Sequence, residues 1–125
     1  ARPLRTGLDC GDDFCQLSGE DGTAVPHLSQ GGVGCISVTA NVAPALCAQM
    51  HEAWQAGDLA TVNEINIRLF PLHEALFCET SPGPVKYAAS LMGHCSDEMR
   101  LPMCEISDQS KARVREALAA MGLLA

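Results

Sequence analysis

Only two stretches of this sequence gather apolar residues in the way a β-strand does, and both precede residue 40. Phe14 to Leu17 is a short apolar run closed by Ser18-Gly19 with the acids Glu20 and Asp21 behind it, and Val33 to Thr39 is β-branched and apolar. Both read as strands. Between them Thr23 to Gln30 is weakly helical and stops at Gly31-Gly32, where a left-handed cap is sterically free without a Cβ. Strand, helix, strand in so few residues predicts a βαβ unit with parallel strands and a right-handed crossover. Two parallel strands do not make a sheet that stands alone, because each leaves an unpaired edge and such sheets are normally covered on both faces.

From Asn41 onward the pattern is helical. Asn41 is expected to cap a helix with Pro44 in its first turn, Leu46, Met50, Ala53 and Trp54 along one stripe, and Gly57 at its end. Asp58 caps the next, in which Leu59, Val62, Ile65, Leu69, Leu72 and Leu76 recur at spacings of three and four. Pro71 lacks an N–H and is expected to kink it. Ser81-Pro82-Gly83-Pro84 predicts a rigid turn before a short helix from Pro84 to Met92, and Arg100 to Ile106 reads as extended. Ser107 then caps a last helix with Val114, Ala117, Leu118 and Met121 inward and Gly122 as its stop.

A chain of 125 residues is long enough for one domain with a core. It is too short for a (β/α)8 barrel, which needs about 200–250 residues. The element order nevertheless matches the end of such a barrel: two βα units, then a helical appendix. The expected fold class is therefore α/β, the C-terminal portion of a (β/α)8 barrel over residues 1–57 followed by a C-terminal helical domain over 58–125, with further strands expected before Ala1.

Eight Lys plus Arg against fifteen Asp plus Glu leave a net charge of −7. That balance lacks the basic excess that phosphate neutralisation needs, so no nucleic-acid partner is expected, and acidic membrane surfaces would repel it. The long uncharged stretch Val25 to His51 is broken by three glycines and two prolines and predicts no transmembrane helix. No basic start followed by an apolar segment suggests a secretory signal. The seven cysteines are an odd number with no C-x-x-C pair, and the four histidines form no i, i+4 pair, so neither a disulfide framework nor a metal site is expected. Cys15, Cys35 and Cys47 sit among apolar neighbours, where a free thiol behaves as a small hydrophobe.

In parallel α/β folds ligands meet the carboxyl ends of the strands. Here those ends are Ser18 to Asp21 and Ile36 to Asn41. Gly19 lets a ligand approach the backbone, and the carbonyl of Ile36 can face a substrate. Glu20 and Asp21, adjacent and so on opposite sides of the chain, read as a solvated turn and not as an acid–base dyad.

Four segments, LSGEDGTA from Leu17, GVGCISVTANV from Gly32, PLHEALFCETSPGPVKYA from Pro71 and RLPM from Arg100, closely resemble the 4-hydroxy-tetrahydrodipicolinate synthase (dihydrodipicolinate synthase) family across essentially the whole chain. The resemblance implies an enzyme of lysine biosynthesis, cytoplasmic and a homotetramer built as a dimer of dimers, which condenses pyruvate with aspartate semialdehyde through a Schiff-base lysine and without a cofactor. It also implies that the chain begins after the strand bearing that lysine, so no catalytic residue is expected here. Lys86 and Lys111 fall in the helical part, and neither they nor the Ala1 amine should form the imine.

Residue by residue, the resemblance places Ile36 beside the bound pyruvate and Gly19 and Glu20 near the second substrate. Glu20 stands where the family mostly has Asp, Ser81 where it has Asn, and Gly83 where it has a larger apolar residue. The missing barrel strands must come from an N-terminal segment or another chain. Two other functions fit the residues less fully: a non-catalytic helical binding or scaffold module, and another pyruvate-dependent aldolase of the superfamily.

Overall fold

The computed structural model describes residues 2–124. They form two compact units, Ala1–Ser37 and Val38–Ala125.

The first unit holds helix α1 (Arg2–Cys10), strand β1 (Leu17–Ser18), a 3-10 turn (Asp21–Thr23), helix α2 (Ala24–Leu28) and strand β2 (Gly34–Cys35). The strands are parallel, with Leu17 beside Gly34 and Ser18 beside Cys35. Both are much shorter than the apolar runs that predict them. A strand is only as long as its paired ladder, and the extended chain on either side has no second neighbour among the described residues. Thr39 has left the extended conformation altogether and opens a 3-10 turn (Thr39–Asn41). Gly31 closes the loop after α2 with φ 94°, a conformation that a Cβ disfavours.

The second unit is four helices, α3 (Pro44–Gln55), α4 (Leu59–Leu76), α5 (Gly83–Leu91) and α6 (Asp108–Ala120). Asn41 does not cap α3: its amide donates to the carbonyl of Val38 and closes the preceding turn, and Ala43 stands at the cap. Gly57, at φ 75°, ends α3 in the left-handed region, and Asp58 caps α4 at once by accepting from the Thr61 N–H at 3.1 Å. Pro71 does not interrupt α4. It is exposed, so the carbonyl of Ile67 that it leaves without an N–H lies on the side of the helix that water reaches. Ser107 caps α6 as predicted, and its hydroxyl also donates to Glu79 at 2.6 Å. Residues 94–107 carry no regular structure.

The core of this unit is where α4 meets α3, α5 and α6. Leu69, Leu72, Leu76, Val62, Val114 and Leu118 are almost wholly enclosed, which is the stripe of three- and four-residue spacings closing on itself. No helix among the described residues is long and apolar enough to cross a membrane.

Candidate functional site

The carboxyl ends of β1 and β2 stand side by side because the parallel register continues one bond past the strands: the N–H of Ile36 donates to the carbonyl of Ser18 at 2.8 Å. This brings the Gly19-Glu20 loop and Ile36, the predicted site residues, to one end of the sheet. Ser18, itself buried, shapes the loop. Its hydroxyl donates to the carbonyl of Glu20 at 2.9 Å and accepts the N–H of Glu20 at 3.1 Å. Gly19 opens onto free space, and Ile36 is 70% exposed.

The two adjacent acids have opposite surroundings. Glu20 is exposed and its carboxylate accepts from the N–H of Gly22 at 3.1 Å, capping the 3-10 turn. Asp21 is not the solvated turn residue expected: it is 6% exposed, its Oδ1 accepts from the hydroxyl of Ser37, and the thiol of Cys35 lies 4.0 Å away. The sequence carried a trace of this in Cys35 and Ser37, two small polar side chains one residue apart inside an otherwise apolar run. Cys15, by contrast, is exposed and not part of any core.

None of the described amines is a free nucleophile. Lys86 donates to the carbonyl of Glu98, and Lys111 pairs with Glu105 and lies 5.6 Å from the centre of the Tyr87 ring. The hydrogen bond to Glu105, opposed by desolvation, raises the Lys111 ammonium above its ordinary value and keeps it protonated. Tyr87 is buried and its hydroxyl accepts from Arg115. Ala1 lies outside the described residues. His73, as expected of a buried histidine, is hydrogen-bonded, its Nδ1 being 2.7 Å from the hydroxyl of Thr39. Among the described residues no group of three or more His, Cys, Asp or Glu side chains is placed to hold a metal ion.

A cavity of about 610 Å3 opens between α1, β1 and α2, lined by Arg2, Phe14, Cys15 and His27 among others, but it takes in none of Gly19, Glu20 and Ile36. The chemistry favours the strand ends over the larger space, because that is where exposed backbone converges in a parallel sheet.

Comparison with known proteins bears on these ends. The model of the Dihydrodipicolinate synthetase family matches residues 3–121. The 4-hydroxy-tetrahydrodipicolinate synthase of Rhodospirillum centenum is 63% identical over 123 residues, which are 98% of this chain and 42% of that protein. A crystal structure of dihydrodipicolinate synthase from Aquifex aeolicus superposes with a TM-score of 0.93 at 36% identity, over 98% of this chain and 42% of the other. The chloride-inhibited enzyme from Acinetobacter baumannii, solved in complex with pyruvate, gives 0.90 at 32% identity over 98% and 42%. The chain thus spans about two fifths of the length of the relatives it matches.

Proposed function

The chain belongs to the dihydrodipicolinate synthetase family and has the fold of the C-terminal part of its (β/α)8 barrel with the helices that follow; we propose that it serves the condensation of pyruvate with aspartate semialdehyde in lysine biosynthesis. The observation that carries this reading is the pair of parallel strand ends, where Gly19 and Glu20 stand beside Ile36 with their backbone open to a ligand.

In this reading the Ile36 backbone borders the pyruvate site, and Gly19 with Glu20 borders the site of the semialdehyde. The imine-forming lysine lies on a barrel strand outside Ala1–Ala125, since Lys86 is hydrogen-bonded to the Glu98 carbonyl and Lys111 is paired with Glu105. Residues 1–57 complete the barrel and 58–125 form the helical domain. The assembled enzyme is a cytoplasmic homotetramer that works without a cofactor.

Borohydride trapping with pyruvate, followed by mass analysis, tests the proposal. The 125-residue chain alone should gain no pyruvate adduct. Mixed with a polypeptide supplying the first six barrel strands, it should restore an adduct on that polypeptide, and Ile36→Pro should abolish it by distorting the strand end. A stoichiometric adduct on Lys86 or Lys111 of the isolated chain would overturn the assignment.

A further inference from the structure

A buried carboxylate is tolerated only where donors replace the water it has lost. Asp21 has such donors, and they come from the opposite strand end: the hydroxyl of Ser37 on Oδ1, with the thiol of Cys35 4.0 Å from the same atom. Cys35 and Ser37 are the two neighbours of Ile36. Side chains two apart on an extended segment share a face, so Asp21 holds this segment from one side while Ile36 is turned to the other, 70% exposed.

The carboxylate therefore does in side chains what the bond from the Ile36 N–H to the Ser18 carbonyl does in backbone: it ties the loop after β1 to the end of β2. An exposed acid at this position would leave the Ile36 peptide without this side-chain tie and held less firmly.

We propose that Asp21 is a positioning residue, fixing the Ile36 peptide at the carboxyl end of β2 and through it the site for the α-keto acid. The second half of this proposal rests on the function proposed above, and the first half does not. It assigns the geometry of the strand ends to an acceptor, not to a charge: an amide oxygen at position 21 should serve almost as well, whereas a methyl group should not.

Two measurements decide it. In the 125-residue chain, hydrogen exchange at the Ile36 amide should speed up about tenfold or more in Asp21→Ala and Ser37→Ala and stay near wild type in Asp21→Asn. In the polypeptide carrying the whole barrel, Asp21→Ala should raise the KM for pyruvate about tenfold while kcat changes less than about threefold. Asp21→Asn should restore KM, and adding Ser37→Ala to Asp21→Ala should make it no worse. Unchanged exchange at Ile36 in both alanine variants overturns the tie. Faster exchange with an unchanged KM overturns the link to the substrate site. A wild-type barrel that does not turn over pyruvate at all overturns the proposed function, and the exchange measurement still decides the tie. Should Asp21→Ala fail to fold, Ser37→Ala and Asp21→Asn carry both measurements.

Discussion

The two units of this chain draw on the same stock of apolar residues and use them differently. In the first, Ala24 and Leu28 are the buried apolar side chains, while Leu4, Leu8, Phe14, Leu17, Val33 and Ile36 are all exposed, and α1 buries nothing. In the second, α4 alone encloses Val62, Ile65, Leu69, Leu72, Ala75 and Leu76. The difference lies in what the chain offers as a partner. An amphipathic helix finds its cover in three more helices within the same 88 residues of sequence. A parallel strand needs neighbours on both edges and layers on both faces, and one βαβ unit supplies neither. The helical unit encloses a core of its own, though Ile67 and Leu101 stay exposed, and the strand unit leaves most of its apolar side chains uncovered.

Four measurements break or sharpen that contrast. The largest effect belongs to the helical core: Leu72→Ala should cost about 2–5 kcal/mol of unfolding free energy, read from the helical signal in urea. A cost under about 1 kcal/mol would mean that the second unit is no better packed than the first. Next comes the cap of α6. Ser107→Ala removes the acceptor of the Ser110 N–H and the donor to Glu79, and should cost about 1 kcal/mol.

Dependence on pH follows from the same unit. Hydrogen bonds from Thr61, Ser107 and Lys111 hold Asp58, Glu79 and Glu105, respectively, below their ordinary values of 3.8, 4.5 and 4.5. A carboxyl whose folded pKa is depressed adds stability that is present above its unfolded pKa and lost as pH falls through the folded one. The urea midpoint of the helical unit should therefore fall as pH drops below 4.5. Lys111 is raised above 10.5 by Glu105, so its contribution is full below that value and is lost as pH rises through the folded one. Glu105→Gln should flatten the alkaline side of the profile. Asp58 and Glu105 are exposed and Glu79 and Lys111 are half-buried, so salt should shrink both effects in part.

The smallest effect is expected in the strand unit. Leu17→Ser and Val33→Thr should move the unfolding midpoint of the isolated chain by no more than about 0.5 kcal/mol. They should, however, lower its binding of a hydrophobic dye. A cost comparable to that of Leu72→Ala would show that these side chains are covered after all.

The helices of the second unit were legible in the sequence because their signals are local: an acceptor at the cap, as at Asp58 and Ser107, and a three-and-four spacing that every helix must satisfy for itself. The strands were legible as to place and direction, not length, since a ladder depends on neighbours that no local pattern reports. Asn41 misled because its side chain has two uses near a helix start, and the turn closed by the Val38 carbonyl is formed first along the chain. Pro71 lies inside α4 without ending it, since the cost of its missing N–H depends on which side of the helix it faces. At the site, Gly19, Glu20 and Ile36 could be placed at one end by the rule for parallel sheets. The burial of Asp21 could not, because adjacency of two acids says nothing of which one meets Ser37 across the strands.

Gly83, at the start of α5, shows how one volume can belong to two positions. Its φ is not in the left-handed region, so the backbone does not require glycine. What requires it is space: a Cβ there would stand 2.6 Å from Cγ2 of Ile106 and 3.6 Å from Cε of Met99. Ile106, 7% exposed, already occupies the room that a larger residue at position 83 would fill. In evolutionary terms the two sites are a seesaw: a bulkier side chain fits at position 83 in company with a smaller one at 106, and either change made first crosses an overpacked or hollowed intermediate.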